Sequence, residues 1–417
     1  MNRLGVKRKV IGMKAMGFER ILGGVCAPGG FLASGVHCGI KEEGRLDLAL
    51  VCSQEPAVIA GVFTSNELKA APVLLTRQRV ASGTARAVVI NSGNANAMTG
   101  SRGREDALEM ATVVERSLDL EPGQALVAST GVIGELLPMD KVLPGIEQAV
   151  LELSPGGNTD AAKAIMTTDT YPKELAVEMD IAGRTVRVGA MAKGSGMIFP
   201  NLATMLVIIT TDIDLPQETL QDWLSKAVEW SFNRISVDGD QSTNDMVLML
   251  ANGTAFPEGH RLTRDEAEVF FRALCWLTAN LAMSLVKDGE GSTKLLRIVV
   301  NGAVDDAGAV KVANAIANSN LVKCSFFGNS LNWGRIAAAS GNAGVPLDPE
   351  SFSIYLGEHL VVAGGVSTPV DGKDLKRLLE RDEVEITVDL GQGEGSAYYL
   401  TCDLSTRYVE INAFDKS

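Results

Sequence analysis

Short apolar runs alternate with stretches in which apolar residues return every three or four positions. The runs at 48–52, 87–90 and 205–209 have the length and branched composition of buried strands, and 104–118 carries helical spacing. Helical spacing returns at 263–287, 306–319 and 371–381, while 295–300, 352–356, 384–390 and 398–403 read as the strands of the second half. Thr263 and Glu266 form the pattern of a capping box, in which each residue's side chain accepts from the other's free amide. The longest apolar stretch, 273–286, is bounded by Arg272 and Lys287. It falls short of the roughly 20 residues that cross a bilayer, so it predicts a buried core helix. The Asn/Gly run 91–100 predicts a turn-rich loop. No repeat, low-complexity block or Pro/Ser-rich linker interrupts the pattern. The whole predicts an α/β fold, specifically an α+β layered sandwich with mixed sheets.

Composition narrows the chemistry. A chain of 417 residues exceeds the usual single-core size, so one large layered domain or two intimate ones are expected. With 46% hydrophobic residues but 5% aromatic, the core is built from Val, Ile, Leu, Ala and Met. A net charge of −13 argues against nucleic acid or an anionic membrane as partner. Cys26, Cys38, Cys52, Cys275, Cys324 and Cys402 show no CxxC and no repeated spacing, which predicts free thiols in a reducing, cytoplasmic setting. His37, His260 and His359 stand in no metal-ligand spacing, so a Ser-His-Asp or zinc-hydrolase reading loses its base or its ligands. The basic segment 1–20 reads as a solvated extension or a short targeting presequence.

The junction Ala203-Thr204 is the sharpest chemical feature. A Gly-rich approach (Gly194, Gly196) and Pro200 lead to a small residue, a hydroxyl residue and then an apolar strand. That order suits a chain whose threonine attacks its own preceding carbonyl. The freed α-amine, with a pKa near 7.7–8, then serves as base for the same hydroxyl. A Gly/Pro loop feeding a buried strand accounts for the same residues. Three other motifs fail. Gly194-Ser195-Gly196 continues to Phe199 where a dinucleotide fingerprint needs glycine, and Gly391-Gln392-Gly393 continues to Ser396, so a hairpin turn is expected there. The run 238–245 resembles a calcium loop, but Thr243 and Met249 hold its glycine and bidentate-glutamate positions. It is read as polar active-site scaffolding without a metal.

Residues 193–204 resemble the signature of the ornithine acetyltransferases, the glutamate N-acetyltransferases of arginine biosynthesis. Other blocks follow in the family's order: Gly23-Gly24-Val25 up to Gly39, Asn91-Ser92-Gly93-Asn94-Ala95-Asn96-Ala97, Ser129-Thr130-Gly131-Val132-Ile133-Gly134 and Met166-Thr167-Thr168-Asp169-Thr170. Beyond the junction come the block 237–245, Lys287-Asp288-Gly289-Glu290-Gly291, Asn332-Trp333-Gly334-Arg335 and Ile411-Asn412-Ala413. The resemblance covers nearly the whole chain. It implies an N-terminal-nucleophile-like fold cut into two chains, 1–203 and 204–417, assembled as an α2β2 heterotetramer. It further implies Thr204 as nucleophile and Thr130 and Gly131 as oxyanion hole. Thr167, Lys193, Thr204, Glu290, Asn412 and Ser417 become substrate contacts, with Thr168 an alternative to Thr167 on spacing. Lys193 would meet a carboxylate and Glu290 an ammonium. The implied substrates are N-acetylornithine and glutamate, with acetyl-CoA a further donor in some relatives and no cofactor required. An amidase or aminopeptidase on the same self-cleaving scaffold is the alternative, differing in letting water resolve the acyl-enzyme. One departure stands out: Ser330-Leu331 occupies a place where relatives usually carry an acid.

Purified protein should therefore separate on intact-mass analysis into two chains, the second beginning at Thr204. Thr204→Ala should leave one folded, inactive, full-length chain; continued scission at 203/204 in that variant would rule out self-cleavage by this hydroxyl.

Overall fold

The structure, a computed structural model, describes residues 16–199, 205–257 and 261–414. Two mixed sheets and their helices form the layers. The larger, nine-stranded sheet runs in the order β1 (Phe18–Ile21), β6 (Lys173–Ile181), β7 (Arg184–Lys193), β8 (Leu206–Thr211), β10 (Met246–Ala251), β3 (Leu48–Phe63), β4 (Thr84–Asn94) and β5 (Ala125–Val132). β2 (Phe31–Val36) lies against the first half of β3. β8 is parallel to β10 and antiparallel to β7, so it sits inside the sheet with partners on both edges.

Both faces of β8 and β10 are covered, which explains why β10 and the first four residues of β8 are apolar in succession rather than alternating. Val207, Ile209, Val247 and Met249 pack toward α5 (Gln217–Glu229) and α6 (Arg264–Lys287), meeting Leu224, Phe270 and Leu277. Leu206, Ile208, Met246 and Leu248 face the opposite layer with Ile59, Ile90, Val73 of α1 (Ala71–Val80) and Ala161 of α4 (Asn158–Ala164). Further along that sheet, α2 (Gly100–Ser117) and α3 (Met139–Leu151) bury Met110, Val114, Val142 and Ile146 against Leu48, Leu50 and Val89.

The smaller, seven-stranded sheet has the order β14 (Val366–Ser367), β13 (His359–Ala363), β12 (Ser353–Leu356), β15 (Glu383–Asp389), β11 (Leu295–Ala303), β16 (Gly395–Cys402) and β9 (Ile235–Ser236). With α7 (Asp306–Ala317), α8 (Asn320–Phe327), α9 (Trp333–Gly341) and α10 (Gly372–Leu379) it encloses a separate core that includes Ile298, Val312, Ile316, Phe326, Ile354, Leu378, Ile386 and Tyr399.

The capping box at α6 forms: the Glu266 amide donates to Thr263 Oγ1 at 3.4 Å and the Thr263 amide to Glu266 Oε2 at 2.7 Å. By length and composition α6 could cross a membrane, yet Phe270, Leu274, Leu277, Leu281 and Leu285 are buried in the core. Several expectations need correction. Asn91, Ser92, Gly93 and Asn94 are not loop but the end of β4, because their backbones pair with Ser129, Thr130, Gly131 and Val132 of β5. β3 does not stop at Cys52. It passes an irregularity at exposed Gln54, Glu55 and Pro56, then exchanges β2 for β10 as neighbour. Gly391-Gln392-Gly393 joins β15 to β16 without forming a hairpin, since β11 lies between those strands and pairs with both. The segment 1–20 is not wholly an extension: β1 pairs with β6 and Phe18 is buried. Residues 1–15 lie outside the described residues.

Ile208→Ala, in a strand covered on both faces, should lower unfolding free energy by about 2–5 kcal/mol. Arg116→Ala, which removes an exposed pair with Glu147 at 3.3 Å, should cost no more than about 1 kcal/mol. Urea unfolding of the two variants checks the contrast.

Candidate active site

β4 and β5 run parallel, and at their ends Ser92 pairs with Thr130 and Gly93 with Gly131. Gly131 has a φ of 132°, and a Cβ there would stand 2.3 Å from the Gly93 carbonyl carbon. Only glycine fits that approach, which leaves its surroundings free of side chain. Asn244 ties the two strand ends together by donating to the carbonyls of Ala95 at 2.6 Å and Ser129 at 2.8 Å.

Lys193, the last residue of β7, pairs with Leu206 at the start of β8. Its ammonium donates to Thr167 Oγ1 at 2.8 Å and lies 3.4 Å from Thr130 Oγ1. Burial holds its pKa below that of an ordinary lysine, against the pull of nearby Asp169. Of the neighbouring hydroxyls at 167 and 168, Thr167 is the one that Lys193 meets. On the opposite wall, Asn412 of α11 (Thr406–Phe414) donates from Nδ2 to Glu290 Oε2 at 2.7 Å. Glu290 is placed by its own amide, which donates to the Ser195 carbonyl at 2.9 Å. A Cβ on Gly196 would come within 2.5 Å of the Glu290 carboxylate, so the approach loop needs glycine there too.

Thr130, Gly131, Thr167, Lys193, Glu290 and Asn412 line one cavity of about 110 Å³. These six come from five separate stretches of chain. Ala203, Thr204 and Ser417 lie outside the described residues. Their immediate neighbour Met205 is described: its amide donates to Asp245 Oδ1 at 2.9 Å, and its carbonyl accepts from the Met246 amide at 3.2 Å. Asp245 is fully buried, and its Oδ2 has no hydrogen-bond donor among the described residues. Burial pushes this carboxyl well above the usual carboxylate range, although the Met205 amide and Lys193 oppose the shift.

Beneath the cavity lies an ionic cluster to which the sequence reading gave no role. Lys173 of β6 is buried and pairs with Asp169 Oδ1 at 2.7 Å and with Asp288 Oδ2. Asp169 also accepts from the amides of Gly194 at 2.8 Å and Thr167 at 3.0 Å. Burial alone would raise the Asp169 carboxyl; Lys193, Lys173 and the Gly194 amide outweigh it and hold it at about 2. Asp169 and Asp288 stood inside blocks already singled out, whereas a lysine at the head of a strand carries no local signal. In the run 238–245, Asp238 accepts from the amides of Met197 and Ile198 at 2.5 and 2.9 Å, shaping the cavity wall at Met197. At the departure noted above, Leu331 packs against the smaller sheet's core and Ser330 is exposed, both outside the cavity lining.

A small, charged, glycine-walled pocket at the strand ends of the larger sheet has the make-up of an enzyme active site. The model of the ArgJ family matches residues 32–417, and the chain belongs to that family. The arginine biosynthesis bifunctional protein ArgJ of Symbiobacterium thermophilum is 48% identical over 396 residues, covering 94% of this chain and 98% of that protein. Its counterpart in Oceanobacillus iheyensis is 45% identical over 392 residues, with 94% and 96% covered. Among solved structures, an ornithine acetyltransferase from Mycobacterium tuberculosis in complex with ornithine is 46% identical. The match covers 45% of this chain and 100% of that one, with a TM-score of 0.42.

Because the folded pKa of Asp169 is depressed from 3.8 to about 2, its contribution is complete above the unfolded value and lost as pH falls through about 2. Asp169→Asn should lower the melting temperature at pH 7 and flatten its decline between about pH 4 and pH 2. Thermal unfolding across that range checks both.

Proposed function

We propose that this chain is an acetyltransferase of arginine biosynthesis that moves the acetyl group of N2-acetylornithine to glutamate through an acetyl-threonine at Thr204. The observation that carries this reading is the convergence of Thr130, Gly131, Thr167, Lys193, Glu290 and Asn412 on one cavity, beside the strand that Thr204 precedes.

In this reading the chain first cuts itself between Ala203 and Thr204. The Thr204 hydroxyl then attacks the acetyl carbonyl while its α-amine takes the proton. The oxyanion receives the Gly131 amide and the Thr130 hydroxyl. Lys193 only donates, so its approach to Thr130 Oγ1 occupies a lone pair and leaves the threonine's own hydrogen for the oxyanion. Losing one such donor typically costs about 100- to 1,000-fold in rate. Lys193 meets the substrate carboxylate, and Glu290, steadied by Asn412, meets the ammonium. Ornithine leaves, and the glutamate amine resolves the acyl-enzyme. Asp245 fixes Met205 through one oxygen, and we assign its other oxygen to an N–H of the α-amine that scission frees on Thr204.

Opposite charges at Lys193 and Glu290 favour a charged amino acid, attacking through its neutral amine, as acceptor over water, so the amidase or aminopeptidase reading is not favoured. We extend to this chain acetyl-CoA as a second donor, an α2β2 assembly of the two pieces and a cytoplasmic setting. The six free cysteines support a reducing compartment.

Rapid quench during turnover of N-acetylornithine should reveal an adduct of about +42 Da, one acetyl group, on the piece beginning at Thr204, with parallel double-reciprocal lines. Intersecting lines without an adduct would show direct transfer in a ternary complex and overturn the covalent route.

A further inference from the structure

A cavity larger than the catalytic one opens elsewhere in the fold. It measures about 450 Å³ and opens between α7, α8 and α9, with Asn318, Leu321, Asn332, Arg335 and Asn342 in its lining. The block 332–335, singled out in the sequence and absent from the catalytic pocket, forms one side of it.

No acidic side chain lines this cavity, although the chain carries 51 acids against 38 lysines and arginines. Arg335 is anchored by one nitrogen, Nη1, which donates to the Leu321 carbonyl at 2.8 Å. Among the described residues no carboxylate pairs with it, so its remaining donors have no anionic partner. The Asn332 and Asn342 side chains likewise make no hydrogen bond among the described residues. Asn332 is the N-cap of α9, but its side chain does not cap, and the first turn holds no acid. Serine and leucine occupy 330 and 331, so no carboxylate reaches in from the preceding loop either. A guanidinium, two carboxamides and uncapped amides therefore share one opening, the donor set that a planar oxyanion satisfies. Ala315, Leu321, Ala338 and Ala339 supply apolar wall beside it. Such a mixture suits a carboxylate carried on a short aliphatic body better than a bare inorganic anion.

The cavity is wired to the catalytic pocket by a short chain of contacts. Asn318 Oδ1 lies 2.5 Å from Ser236 Oγ, and that hydroxyl is 3.2 Å from the Ile198 carbonyl. The Val237 amide donates to the same carbonyl at 2.8 Å. Ile198 and Met197 hang by their amides from Asp238, and Met197 lines the catalytic pocket.

We propose that the α7–α9 cavity is an effector site for a small aliphatic carboxylate, read by Arg335 and coupled to the catalytic pocket through Asn318, Ser236 and Ile198. The coupling half rests on the acetyl-transfer reading above, whereas the binding half does not. Calorimetry on the purified full chain tests binding, with succinate and inorganic phosphate as probes of wild type, Arg335→Gln and Ala338→Leu. Ala338 is exposed on α9, so leucine there fills the cavity without entering the core. Succinate should bind wild type, and both variants should weaken it about tenfold or more. Saturating succinate should also change the wild-type transfer rate by about twofold or more while leaving Ala338→Leu unaffected. Equal succinate binding by all three proteins, or none by wild type, would overturn the site. Phosphate binding as tight as succinate would overturn the carboxylate assignment. Variant-sensitive binding with an unchanged wild-type rate would remove the coupling and leave the site.

Discussion

A buried lysine between two buried aspartates holds the active region together. Lys173 has no contact with water and is neutralised by Asp169 and Asp288. Removing one partner from such a cluster strands a charge in the core, which typically costs about 3–5 kcal/mol. What the cluster fixes is position. Asp169 also takes the amides of Thr167 and Gly194, so one carboxylate sets the loop carrying Thr167 against the end of β7 that carries Lys193. Asp288 binds the amide and hydroxyl of Thr170 and stands at the end of α6, two residues before Glu290. Both walls of the pocket therefore refer to the same ionic centre.

Local chemistry made part of this fold legible. The α6 capping box and the apolar run that opens β8 announce themselves because their determinants lie within a few positions. The extension of β4 through Asn91, Ser92, Gly93 and Asn94 was hidden because those residues favour turns on intrinsic preference. Pairing with β5 and the amide bridge of Asn244 override that preference. The passage of β3 through Pro56 was hidden for a related reason: a proline that follows two polar residues usually ends a strand. Here the neighbouring strand changes at that very place.

The candidate site divides the same way. Thr130, Gly131, Lys193 and Glu290 were legible as motif positions, but their meeting was not, since it depends on a sheet order no local pattern encodes. The role of Asp245 in holding Met205 was equally silent, because a buried aspartate is defined by its surroundings and not by its spacing. Asn412 gained definition from the fold. Near a chain end it reads as a loose residue, yet α11 packs beside Gly291, where the Ser405 hydroxyl bonds the Gly291 carbonyl.

The larger sheet is woven from both sides of position 203. β8 and β10 follow that position, yet they lie between β7 and β3, which precede it. A chain severed there has no seam along which its parts can come apart, since each part supplies strands that the other needs as neighbours. The uncut chain finds this arrangement as an intramolecular event. Two pieces would have to find it by collision, at a rate set by their concentration. Scission would then act as a ratchet: the intact chain serves as the template for its own fold, and the template is spent once the cut is made.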